Sequence, residues 1–289
     1  MAMIQKLFIF LITCLVAPLA QADNIMSLWD FSNPALSEER FRSAMKTASG
    51  DEALILHSQI ARTFVFRKEF AKARQILNSI KPQIQSAGVE AQVRYWLELG
   101  RTYASHQHSS DSQTQETKHN ARLAFETALD IAQGAQLDGL AIDAIHMFVF
   151  VDTEPVDQVK WGQKALALVE ASNQPEAKRW EPSVRSNLGE ALFDLGRYEE
   201  ALEHFNRALS LREQGTNPRA TLNARWHVAR VLRMQKHYDQ ALAIQLRLER
   251  ESEAAGEPRI YIFEELALLY QAKGYAERAT HYLQLTKRQ

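Results

Sequence analysis

His106, His108 and His119 are the residues of this chain best suited to hold a metal. Neutral imidazoles suit zinc, copper or nickel. The three sit in a stretch rich in Ser, Gln, His and Asp, with no fixed carboxylate beside them. A metal site needs oriented groups behind its ligands, so the pattern favours a solvated loop over a metal centre. His146 falls on an apolar helical pattern and reads as a hydrogen-bonded core residue. Glu199 and Glu200 are adjacent and diverge around a helix, so they cannot act as a matched acid and base. They suit a first turn, where acidic groups favour the helix dipole. The chain contains no H-E-x-x-H zinc pair, no G-x-x-x-x-G-K-[ST] phosphate cradle, no G-x-G-x-x-G and no G-x-S-x-G elbow. Neither a catalytic set, nor a metal site, nor a cofactor site is expected.

Composition narrows the class. The chain has 289 residues, 46% of them hydrophobic, which suffices for a substantial core. Eleven Gly and eight Pro argue against a turn-rich β protein. A net charge of −1 provides no basic field for nucleic acid. Lys6, the apolar run Leu7–Ala20 and the ending Ala20-Gln21-Ala22 read as a secretory signal peptide over residues 1–22, cut after Ala22. An uncleaved anchor is the rival reading, but the run is short for a span of about 20 residues. A lipoprotein signal at Cys14 is another, but Thr13 fits poorly before the cysteine. Cleavage would remove Cys14, the only cysteine, leaving no thiol chemistry. The expected product is periplasmic, with no stable membrane span.

The elements that would position side chains are helices in pairs. Ser186–Leu211 reads SNLGEALFDLGRYEEALEHFNRALSL. Small residues (Gly189, Ala191, Ala201, Ala208) fall where two helices must touch, and Leu188, Leu192, Tyr198 and Phe205 fill the space around them. This spacing resembles the tetratricopeptide repeat, a helix–turn–helix unit of about 34 residues. Leu188-Gly189, Gly196, Tyr198, Ala201, Phe205 and Ala208 fit its pattern, Leu192 takes the usual tyrosine place, and Glu213 stands where a proline is common.

Comparable spacings recur through the chain. Ile60, Ala61, Phe64, Phe70, Ala73 and Leu77 mark a unit over about 52–87, which Pro82 and Gly88 would end. Trp96, Leu99, Gly100, Tyr103, Ala121, Phe125 and Ala128 mark one over 93–135, with a solvated, mobile insertion at 105–120. A degenerate unit covers 139–172, with His146 in a small-residue place and Pro155 opening the second helix. Further units cover 182–215, 222–255 and 260–289. Residues 23–50 form a lead-in and a capping helix, Ser37–Thr47. The fold class is therefore all-α, an α-α superhelix (solenoid) of about five to six helix–turn–helix units over 51–289. At the last helix, Tyr282, Leu283 and Leu285 are expected to be exposed, offering self-association or a docking edge.

The resemblance also implies a binding face. In such arrays the first helix of each unit lines a concave groove. Carried onto this chain, the groove residues are Arg62, Arg94, Arg101, Phe193, Asn223, Trp226, Arg230, Arg233 and Tyr261, with Phe66, Glu190, Asp194, Glu264 and Gln271 beside them. Guanidinium groups bind carboxylates, and aromatic rings supply contact area at low entropic cost. The competing reading is that these arginines pair with neighbouring acids. Ser186 and Glu190 stand where a chaperone-binding clamp would need Lys and Asn, so a chaperone C-terminus is not expected. A protein or peptide partner is expected, in a non-enzymatic scaffold. The alternative is a ligand- or peptide-sensing component of a signalling system.

Overall fold

The structure, a computed structural model, describes residues 25–257 and 259–287. The expected signal peptide and its cut after Ala22 lie outside the described residues. The described part is helical throughout, with no strand.

Helix α1, Pro34–Ala44, caps the array. It starts three residues earlier than expected. Asn33 is its N-cap and accepts from Leu36 N, while Ser37 is buried inside the helix and bonded to Asp30. Six hairpins follow: α2, Gly50–Phe66, with α3, Phe70–Ile84; α4, Val89–Arg101, with α5, Gln115–Gly134; α6, Asp138–Met147, with α7, Pro155–Ala171; then, after the single turn α8, Pro175–Lys178, α9, Glu181–Asp194, with α10, Tyr198–Glu213; α11, Pro218–Met234, with α12, Tyr238–Ala254; and α13, Ile260–Ala272, with α14, Ala276–Leu285. Each first helix packs on its own second helix, and each hairpin packs on the next. The core accordingly runs as a chain of buried patches along the array rather than as one centre.

Small residues bring the two helices of a hairpin together. A Cβ on Gly100 would lie 2.3 Å from the Phe125 ring, and one on Gly189 2.8 Å from the Phe205 ring. Phe125 and Phe205 are buried in the notches these glycines leave.

Four of the six hairpins turn in the same way. Lys68, Gly196, Lys236 and Gly274 all have positive φ, at 62°, 73°, 65° and 83°. The next residue in each case, Glu69, Arg197, His237 or Tyr275, donates its N–H to the carbonyl five residues back. This is the Schellman closure, which satisfies carbonyls at the end of the first helix while the chain reverses.

Three sequence expectations need correction. Pro82 does not end its unit, because it lies inside α3, which continues to Ile84. The insertion expected over 105–120 is shorter. Helix α5 begins at Gln115, with Thr114 accepting from Thr117 N as N-cap. What remains is anchored: Ser105 is buried and the His108 ring stacks on Phe70 at 3.9 Å. His108 Nε2 faces the Thr102 carbonyl at 3.2 Å, and a carbonyl only accepts, so Nε2 carries the proton. At the far end, Tyr282 is not exposed as expected. It stacks on Tyr270 and donates to Glu249, and Leu285 is half-buried, leaving only Leu283 of the three open.

Candidate functional site

The first helices α2, α4, α6, α9 and α11 carry polar residues on both sides of an apolar and small pair, and α13 carries one on the leading side only. The tetrapeptides read Gln59-Ile60-Ala61-Arg62, Glu98-Leu99-Gly100-Arg101, Asp143-Ala144-Ile145-His146, Asn187-Leu188-Gly189-Glu190, His227-Val228-Ala229-Arg230 and Glu265-Leu266-Ala267-Leu268. Positions three apart on a helix are surface neighbours. The last residue of each tetrapeptide therefore reaches forward, and the first reaches back.

The result is a polar ladder running from unit to unit. Arg62 lies 3.7 Å from Glu98. Arg101 pairs with Asp143, and also with Glu98 on its own helix at 2.5 Å. Asn187 donates to His146 Nδ1 at 2.8 Å. Glu190 lies 3.2 Å from His227 Nδ1 and accepts from Arg230 through both oxygens, at 2.8 and 3.0 Å. Arg230 stands 4.0 Å from Glu265, which Arg233 holds through a two-point contact of 2.7 and 3.0 Å. The lead-in joins the same line: Trp29 Nε1 donates to Gln59 at 3.1 Å.

Burial makes these pairs matter. Glu98 is 1% exposed and Arg101 5%. Burial works against the Asp143 charge, but the Arg101 guanidinium beside it keeps that carboxyl below the usual carboxylate range. The same acids raise Arg101 against the effect of its own burial. Burial also opposes the Glu190 charge, and His227 and Arg230 bring it down to about 2. His146 is lowered chiefly by burial, with the Arg101 charge adding to the effect and Asp143 resisting it.

Aromatic rings flank the ladder. At its C-terminal end the Arg230 guanidinium lies between Phe193 and Trp226, 4.3 and 4.6 Å from their centroids. Trp226 Nε1 donates to the Tyr261 carbonyl at 3.2 Å, and the Tyr261 hydroxyl donates to Asn223 at 2.8 Å. At the N-terminal end the Arg62 guanidinium stands 5.4–6.0 Å from the rings of Trp29, Phe31 and Phe66.

The structure gathers the expected groove residues into two groups. Arg62 and Arg101 stand in one; Phe193, Asn223, Trp226, Arg230, Arg233 and Tyr261 form the other. Arg94 is paired with Glu90 on its own helix at 2.8 Å, and its charge bears on Arg62. Arg101, Arg230 and Arg233 tie one unit to the next. Sequence reasoning missed their partners Glu98, Asp143 and Glu265, and the Asn187 that faces His146, although the recurring tetrapeptide was present as a signal. The ladder also sets the register of the third unit: His146 faces Asn187, and Ile145 takes the buried place assigned to the histidine. The three insertion histidines are not brought together, since His106 lies against Phe66, His108 against Phe70, and His119 is exposed on α5.

Comparison with known proteins places the architecture. Residues 180–250 match the tetratricopeptide repeat family. No curated protein sequence matches the chain significantly. Among solved structures, the chain is similar to a Signal Transduction ATPase with Numerous Domains from Pyrococcus horikoshii that carries a tetratricopeptide repeat sensor. The TM-score is 0.63 at 13% identity, over 92% of this chain and 41% of that one. It thus spans about two fifths of that protein. It is also similar to the apo form of the quorum sensor NprR from B. thuringiensis, with TM-score 0.52 at 14% identity, over 92% of this chain and 84% of that one. The repeat fold is in general a non-catalytic scaffold for protein interactions. The family match lies in the centre of the chain, and the helical hairpins on either side of it share the fold of these solved structures.

Proposed function

We propose that the chain is a non-enzymatic periplasmic scaffold that binds a peptide segment or a partner protein along the shared face of its first helices. The observation that carries this reading is the pairing of fixed charge with rings. The ladder arginines are already held by acids from the adjoining unit, so binding would not have to order them. Phe193, Trp226 and Tyr261 lie beside them, and aromatic and arginine side chains are the types that dominate binding energy at interfaces. Export rests on the N-terminal sequence alone. Among the described residues no helix is long and apolar enough to cross a membrane.

The test is affinity capture from a periplasmic extract by the full chain, followed by mass spectrometry, beside a variant carrying Trp226→Ala and Tyr261→Ala. The captured protein should be lost, or its affinity should fall at least tenfold, while circular dichroism and melting show an intact helical fold. Equal capture by the folded variant would reject the C-terminal part of this face. Fractionation of cells producing the chain with its first 22 residues tests export; retention in the cytoplasm would overturn that part of the reading.

A further inference from the structure

One rung of the ladder differs from the rest. Arg101, Arg230 and Arg233 each hydrogen-bond an acid. Arg62 makes no hydrogen bond among the described residues. Its nearest acid, Glu98, is 3.7 Å away and is already bound by Arg101. Arg62 Nε and Glu98 Oε2 are both buried without partners. The Arg62 side chain keeps about a fifth of its surface, so the rest of its fork remains open to solvent.

Beside this open fork runs a line of rings contributed by the lead-in and the first four units: Phe31, Phe66, His106, Phe150, His146 and Trp180. Successive centroids lie 5.8, 5.6, 6.3, 6.1 and 5.5 Å apart. Phe31 is 48% exposed, His106 is exposed, and the others are half-buried, so the line is not closed over by the protein. An extended chain advances about 3.3 Å per residue and presents alternate side chains to one face, so side chains on that face recur about every 6.6 Å. The ring spacing is close to that repeat.

Resting on the reading that the first-helix face binds a peptide, we propose that its N-terminal half is the primary recognition surface. It takes an extended segment with apolar side chains at alternate positions and a carboxylate at the end lying over Arg62. The carboxylate supplies the acceptors that the Arg62 fork lacks, and a charge-assisted, two-point contact is the geometry this group favours. The apolar side chains cover Phe66, His106 and Phe150 in turn. The C-terminal half, where Glu190 and Glu265 already hold Arg230 and Arg233, adds area.

The test uses the full chain and a displayed library of random twelve-residue peptides, with selected peptides remade and titrated by fluorescence anisotropy. Selection should yield an acidic residue followed by apolar residues at every second position. Changing that acid to its amide should weaken binding about tenfold. Arg62→Met keeps the apolar stem and should weaken the acidic peptide by the same factor while leaving the amide peptide unchanged. Phe150→Ala should weaken both peptides. Arg62→Lys, which keeps the charge but not the fork, serves if the Met variant melts early, and should fall between the two. Selected peptides that bind equally well to Arg62→Met, or that lack the acid, overturn the proposal. If those peptides still depend on Trp226, peptide binding along the face stands and only this assignment fails. A library from which nothing is selected overturns both.

Discussion

Asp143 shows what a single ladder residue contributes. It is 7% exposed and meets Arg101, which is 5% exposed, on the first helix of the preceding unit. Removing one partner of a buried ion pair leaves an uncompensated charge and costs about 3–5 kcal/mol. Asp143→Ala should therefore destabilise the array by about 3 kcal/mol in urea unfolding. Adding Arg101→Met should recover most of that loss, because replacing a whole buried pair with apolar groups is often nearly neutral. A double variant no more stable than the single one would mean that the pair is not the source of the cost. Gly100 offers a second check at this scale. Gly100→Ala gains roughly 1 kcal/mol of helix propensity but forces a methyl to within 2.3 Å of the Phe125 ring. Overpacking costs roughly 1–3 kcal/mol, so the net effect should be a loss, and Phe125→Leu on top should reduce it. The glycine was legible in the sequence because its small size recurs at a fixed place. The role of Arg101 was not: its partner Asp143 lies 42 residues away, and the face expected to bind a partner is also the face on which adjoining units meet.

Among the elements, the hairpin turn is the most regular device. Its positive-φ residue is Gly at 196 and 274 but Lys at 68 and 236. A left-handed conformation costs a residue with a Cβ about 1–2 kcal/mol, part of which glycine returns through its greater freedom in the unfolded chain. Lys236→Gly should raise stability by about 0.5–1 kcal/mol, and Gly274→Ala should lower it by about 1 kcal/mol, both read from denaturant midpoints. Opposite signs would mean that the turn residue is held by contacts other than its backbone. Turns of this kind could be placed from sequence where glycine marks them. The insertion could not. Its polar composition gives no periodicity, yet His108 stacks on Phe70 and Gln113 donates to the Tyr103 carbonyl, contacts that no local pattern encodes. Pro82 misled for a related reason: it stands late enough in α3 for the helix to run on to Ile84 around it.

Across the whole molecule the ladder joins every unit to the next, so acid should act on the array in two stages. His146 forms the uncharged rung between two charged stretches. Burial, with Arg101, His106 and Arg62 nearby, holds it below its ordinary value of about 6.5. A histidine depressed in the folded state binds fewer protons there than in the unfolded chain, so stability falls as the pH drops below about 6.5, until the folded value is passed. His106, His108 and His204 are shifted in the same direction, chiefly by burial, and add to this stage. Glu190 governs a separate window. Its contribution is complete above the ordinary glutamate value of 4.5 and is lost as the pH falls from there towards about 2. Melting followed across pH 8 to 3 should therefore show a first decline beginning near 6.5 and a second beginning near 4.5. His146→Gln keeps a hydrogen-bonding group facing Asn187 but cannot take up a proton in this range. It should flatten the first decline and leave the second intact, with about 2–4 °C of melting temperature for each 1 kcal/mol of proton linkage removed. An unchanged first decline would assign that stage to the other histidines and leave the His146 rung without a part in it.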